Sequence, residues 1–173
     1  MSGTKLSKKS FLATGLILML LLIFSLFGCT TPTTQENKFV SIQDGSVCKE
    51  EGKPIIRMYS TNVCPHCIWV KPAFDSIIKE YVDANKIIAH HWEWIINEEG
   101  SLTGITDTLT NTTTQSISSN EEAVFNQFSP NSSVPVFVFG CKYYRIGTQF
   151  ELQKDLNAEE TEFRRIIEEL LKE

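Results

Sequence analysis

The sequence predicts an α/β domain in which strands and helices alternate, and three observations carry that prediction. A short apolar run, Ile55 to Ser60, passes directly into an amphipathic helical pattern. The same alternation recurs downstream. At the first strand-to-helix junction stand two cysteines three residues apart, in Cys64-Pro65-His66-Cys67.

The elements follow in order. Ile55 to Ser60 ends at Thr61-Asn62 and reads as a buried strand. From Pro65 to about Ala84, Ile68, Val70, Phe74, Ile77, Ile78 and Tyr81 recur near helical spacing; Pro65 suits the first turn, and Pro72 is expected to kink the helix. Lys86 to Ile96 predicts a second strand, whose alternation sets His91 and Glu93 on one face and His90, Trp92 and Trp94 on the other. Residues 97–120 form an insert with 11 Ser or Thr between 101 and 119 and little periodicity, which predicts a mobile or hairpin-like loop. Glu121 to Phe128 reads as a helix, and Val136 to Phe139 and Tyr143 to Ile146 as strands. Glu159 to Leu171 closes the chain as an amphipathic helix, with Trp69 back on the first helix expected as exposed surface or groove lining.

The junction carries the chemistry. A thiol at a helix N-terminus faces unpaired backbone N–H groups and the positive end of the helix dipole, which favour thiolate over thiol. Cys64 is therefore the candidate nucleophile. Cys67, one turn further, faces the same side and closes a ring with Cys64 or releases a substrate held as a mixed disulfide, which makes it the resolving thiol. The redox-active disulfide itself is the only cofactor such chemistry needs.

Residues 1–28 read as a signal peptide or membrane anchor: Lys5, Lys8 and Lys9 precede the uncharged run Phe11 to Phe27. Leu26-Phe27-Gly28-Cys29 resembles a prokaryotic lipoprotein processing site, which makes Cys29 the lipidation candidate. At 17 residues the run is also at the short end of what spans a bilayer, so an uncleaved anchor is the other reading. Residues 29–37 predict a solvated tether and 38–173 the folded domain. The implied location is extracytoplasmic, attached to the outer face of the cytoplasmic membrane through lipid or anchor. Without the three leader lysines, 13 basic residues against 21 acidic ones leave a net charge of −8, which argues against nucleic acid as a partner. With Cys29 lipidated and Cys64 paired to Cys67, Cys48 and Cys141 are left for a structural disulfide; the other reading is two buried free thiols.

The element order with Cys-x-x-Cys after the first strand resembles the thioredoxin-like superfamily over about residues 53–171, and Pro72 stands five residues after Cys67, where that family kinks the helix. The resemblance implies a thioredoxin-like fold, a central mixed β-sheet flanked by helices. Val134-Pro135, ahead of Val136 to Phe139, is similar to the family's cis-proline; Pro135 would then pack beside the dithiol and the Val134 backbone would pair with substrate peptide. Pro-His between the cysteines looks like the DsbA-like active site of bacterial disulfide oxidants, whereas Gly-Pro marks reducing thioredoxins. An imidazole there sits beside the Cys64 sulfur and favours the reduced form, so His66 is expected to tune a potential that ranges from about −270 to about −120 mV across such sites. Exported thiol or disulfide proteins and a membrane redox partner are the implied partners.

The chain also departs from that pattern. Met58 stands six residues before Cys64, where these enzymes place a buried carboxylate, so the proton of resolution must go to water or another group. Where the DsbA-like enzymes carry a helical domain after the second of these strands, this chain has only residues 97–120, so no helical cap over the active site is expected. Asn111 and Asn131 fit glycosylation sequons. The functional expectation is an extracytoplasmic thiol–disulfide oxidoreductase acting on exported proteins. Its alternative is a copper- or zinc-binding protein on the same fold, with Cys64, His66 and Cys67 as a partial ligand set, and His91 with Glu93 as an incomplete one.

Overall fold

A computed structural model describes residues 37–43 and 45–173; the signal or anchor, Cys29 and all of the tether but Asn37 lie outside the described residues. The chain forms β1 (Val40–Ser41), β2 (Lys49–Glu50), β3 (Lys53–Thr61), α1 (Pro65–Asp83), β4 (Ile88–Ile96), β5 (Leu102–Asp107), β6 (Thr112–Thr114), α2 (Ser119–Phe128), β7 (Val136–Phe139), β8 (Tyr143–Ile146) and α3 (Leu156–Leu170). The strands lie in the order β1-β8-β7-β3-β4-β5-β6, and β2 pairs with the start of β3. Among the described residues only β3 and β4 run parallel, because the chain must cross over through α1 between them; every other pairing there is antiparallel. The result is a mixed sheet flanked by three helices, a thioredoxin-like α/β fold. Among the described residues, no helix is long and apolar enough to cross a membrane.

β3 lies at the centre of the sheet with both faces covered, which is why its sequence reads as a largely apolar run, with Arg57 and Ser60 buried within it. Alternation sends Ile56 and Met58 into the larger core, with Val70, Phe74 and Ile77 of α1 and Phe163 and Ile167 of α3. Tyr59 points the other way and packs with Phe125 and Phe128 of α2. Met58, at the position of the absent carboxylate, is thus an ordinary fully buried core residue.

The hairpin reading of the 97–120 insert holds, as a strand pair of the sheet, and the expectation for Trp69 on α1 changes. The 97–120 insert forms β5 and β6, which extend the sheet beyond β4 through pairs such as Trp94 with Ile105 and Ile105 with Thr114. Its turn is set by Asn97, whose side-chain oxygen accepts from the N–H groups of Glu99 and Ser101, and by Gly100 at φ 80°. The Ser/Thr content that suggested a loop is mostly β-branched Thr, at home on an edge strand, where Thr106 and Thr113 join hydroxyls at 3.0 Å. On α1, Ile68 is 56% exposed, whereas Trp69 is half-buried and packs on the larger core. Starting the helix at Pro65 phases Cys67, Val70 and Phe74 toward the sheet and turns Ile68 outward.

Cys48 and Cys141 form a disulfide, with Cα atoms 5.4 Å apart, that ties the segment before β2 to the β7–β8 turn. In that turn Gly140 takes φ 60°, and a Cβ there would stand 2.7 Å from a Leu170 methyl, so only glycine fits.

Candidate functional site

The dithiol lies where β3 ends and α1 begins. Asn62 holds this corner against the end of β4: its amide donates to the Ile96 carbonyl at 2.9 Å and its oxygen accepts from the Ile96 N–H at 2.8 Å. The Cys64 N–H donates to the Thr61 carbonyl at 3.3 Å. Cys64 is the N-cap of α1, with Pro65 entering the first turn, and the Cys64 sulfur accepts from the Cys67 N–H at 3.3 Å. A capping sulfur occupies the place where the helix dipole stabilises negative charge.

The two thiols are free and unlike in exposure: Cys64 is partly exposed and Cys67 is buried. Burial pushes the Cys67 thiol far above its ordinary range; the adjacent Cys64 sulfur and the Glu93 carboxylate add to this, while a backbone hydrogen bond at Thr61 opposes it. Cys67 is therefore a neutral thiol near pH 7. To attack a sulfur it must give its proton to something nearby.

Val134-Pro135 is a cis peptide bond. The Cys64 thiol donates to the Val134 carbonyl at 3.7 Å, so the residue before the proline lies directly beside the capping sulfur. The Ser129 hydroxyl donates to the Ser133 carbonyl at 2.7 Å, and the Gly147 N–H donates to the Pro135 carbonyl at 2.8 Å, which fix the loop from both sides.

His66 is exposed on the first turn of α1, and its Nδ1 lies 2.7 Å from Glu151 Oε2. Among the described residues no hydrogen bond joins it to Cys64. Glu151 is itself anchored, because the Thr148 hydroxyl donates to it at 2.7 Å. Glu159 of α3 accepts from the Gln149 and Phe150 N–H groups at 2.6 and 3.0 Å and pairs at 2.6 Å with Arg145, both side chains being fully buried. The Arg145 guanidinium is enclosed by the rings of Phe39, Phe137 and Phe163. A buried ion pair thus holds the loop that engages His66.

A polar seam runs beneath α1. Cys67, Lys71 and Asp75 recur every four residues on one face of the helix, over the β4 face that carries His91 and Glu93. Lys71 Nζ donates to both Glu93 oxygens at 2.9 and 3.0 Å. His91 Nδ1 lies 2.6 Å from Asp75 Oδ1 and its Nε2 lies 2.8 Å from the Ser60 hydroxyl. Ser60, His91 and Asp75 have the connectivity of a hydrolytic triad, but Ser60 and His91 are fully buried and leave no room for a substrate. Sequence alternation already set His91 and Glu93 on one face. What it missed was the partner stripe on α1, which is legible only as an i, i+4, i+8 series beginning at Cys67. On the opposite β4 face, His90 Nδ1 lies 3.0 Å from Asp107, and Trp92 donates to Glu121 at 3.1 Å.

Among the described residues no group of three or more His, Cys, Asp or Glu side chains is placed to hold a metal ion. No protein-family model matches the chain, and neither a curated protein nor a solved structure matches it. The class that fold and site define is a thioredoxin-like α/β domain with a cysteine pair at a helix N-terminus, facing a cis-proline loop.

Proposed function

We propose that the chain is an extracytoplasmic thiol–disulfide oxidoreductase, tethered to the membrane through a lipid on Cys29 or an N-terminal anchor, with a DsbA-like Cys-Pro-His-Cys centre. The observation that carries this reading is the Cys64 sulfur, which caps α1 and stands 3.7 Å from the Val134 carbonyl.

In the reducing direction Cys64 attacks one sulfur of a substrate disulfide; the other substrate sulfur leaves and takes up a proton, and a mixed disulfide remains. Cys67 then passes its proton to Glu93 and attacks Cys64, closing the Cys64–Cys67 disulfide and expelling the second substrate sulfur as a thiolate, which becomes a thiol on taking up the proton that Glu93 gives back through solvent. Two electrons move from the protein to the substrate. The same steps reversed oxidise a substrate dithiol. Glu93 is the group for the proton because its carboxylate acts on Cys67 and is held by Lys71, while the usual carboxylate position is Met58. Val134 and Pro135 align the substrate chain, and His66 adjusts the potential. Exported thiol or disulfide proteins are the substrates, and a membrane redox partner resets the centre.

Trapping tests the reading. A Cys67→Ser variant incubated with a disulfide-bonded peptide is expected to accumulate a mixed disulfide on Cys64, seen as an intact-mass gain of one peptide that dithiothreitol removes. If Cys64 stays unmodified while other sites are modified, the reading fails.

A further inference from the structure

The insert builds one wall of an open groove of about 500 Å³. Trp94 and Ile96 of β4, Leu102 and Ile105 of β5, Ile117 and Phe125 give it an apolar lining, and the Trp94 and Phe125 rings meet at 5.0 Å. Thr61 and Val134 also line it. Both contact Cys64, Thr61 through the carbonyl that takes the Cys64 N–H and Val134 through the carbonyl that takes its thiol. The groove therefore borders the dithiol through two residues that hydrogen-bond Cys64.

Resting on the oxidoreductase reading, we propose that this groove binds an extended apolar segment of the substrate polypeptide, next to the cysteine that reacts with Cys64. A substrate sulfur that reaches Cys64 brings its own chain past Val134, and an extended chain advances about 3.3 Å per residue, so the side chains two to four residues from that cysteine fall along the groove. The lining selects their chemistry. Among the described residues no Lys, Arg or His lines the groove and Glu122 is the one charge, so acidic or phosphorylated segments find no counter-charge there. Leu102 is 52% exposed at its edge, and Val63 and Ile68 beside the dithiol are 57% and 56% exposed, which continues the apolar surface around the reacting sulfur. The aromatic pair supplies the rigid area on which an aliphatic or aromatic side chain stacks.

The test compares two cyclic peptide disulfides that are identical except at the second and third positions from one cysteine, Leu-Phe in one and Ser-Asn in the other. The pre-reduced full chain reduces each in a single turnover. The apolar peptide is expected to react about tenfold faster, as the transfer of one large side chain from water allows. In Leu102→Glu, and independently in Ser116→Trp, which fills the groove from an exposed position, the ratio falls to about one. Equal rates in the wild type, or variants that slow both peptides by the same factor, overturn the groove and leave the oxidoreductase reading standing. Failure of the wild type to reduce either peptide, or oxidised dithiothreitol, overturns both.

Discussion

Lys71 Nζ lies 2.9 and 3.0 Å from the two oxygens of Glu93, on the α1 stripe that begins at Cys67, and the Glu93 charge adds to the upward push on the Cys67 thiol, whereas β3 carries Met58. Glu93→Gln is expected to slow the resolution of a Cys64 mixed disulfide by about 10²-fold, in the range of a lost general base. The residual rate should rise with pH, because hydroxide then takes the Cys67 proton. Stopped-flow release of a labelled peptide thiol measures this. Glu93→Asp should recover part of the rate, and an unchanged pH profile in Glu93→Gln would remove Glu93 from the mechanism.

His66 and Glu151 predict two shifts of opposite sign. Removing the imidazole takes away a group that favours the reduced form, so His66→Ala should make the Cys64/Cys67 potential more negative, by about 30 mV or more. Glu151→Gln frees the His66 ring from its carboxylate partner and should make the potential more positive. Thiol equilibria followed by alkylation and mass give both values. Shifts in the same direction contradict this account of the pair.

Glu121 fastens α2 to the sheet: it accepts from Arg57, Tyr59 and Trp92 at 2.9, 3.0 and 3.1 Å. Burial alone would raise this carboxyl, but Arg57 first and then Tyr59 and Trp92 outweigh it and hold it below its ordinary range. Asp107 is likewise lowered against burial, by His90 and the His91 and Leu109 N–H groups. Because the folded values are depressed, the stability they contribute is present above an unfolded value of about 4 and is lost as pH falls through the folded values. Glu121→Gln should cost about 3 kcal/mol at pH 7 by leaving Arg57 unpaired, and should flatten the acid limb of urea-unfolding stability. An acid limb as steep as that of the wild type would contradict the assignment.

The Cys48–Cys141 bridge closes a loop with a sequence separation of 93 residues. On the chain-entropy model its loss in Cys48→Ala/Cys141→Ala destabilises the fold by about 4 kcal/mol. The bridge lies away from the dithiol, at the β7–β8 turn, so the double variant should keep its rate of peptide disulfide exchange below its lowered unfolding temperature. Ready alkylation of Cys48 or Cys141 in the native oxidised protein would contradict the bridge.

The centre of the fold was legible in the sequence because local signals there agree with the global structure. Ile55 to Ser60 is apolar but for Arg57 and Ser60 since β3 is covered on both faces, and Cys64-Pro65 marks the helix start that the Cys64 cap makes. The Val134-Pro135 loop was found from the two residues and the run after them. The 97–120 segment reads as a mobile or hairpin-like loop but not as strands of the sheet, since in a Thr-rich edge hairpin only Gly104, Ile105 and Asp107 are buried. The outward turn of Ile68 and the Glu93–Lys71 pair depend on helix phase and on which helix stripe lies over which strand, and no single segment encodes either. His66 was read beside Cys64, whereas its hydrogen bond goes to Glu151, a partner 85 residues away.

Equilibration of the full chain across a glutathione redox series, with the Cys64–Cys67 peptide read by mass, tests the central claim most directly. The account predicts a single two-electron transition of this pair with a potential between about −270 and −120 mV. A pair that stays dithiol at the oxidising end, or a disulfide that resists reduction below about −300 mV as structural bridges do, would contradict it.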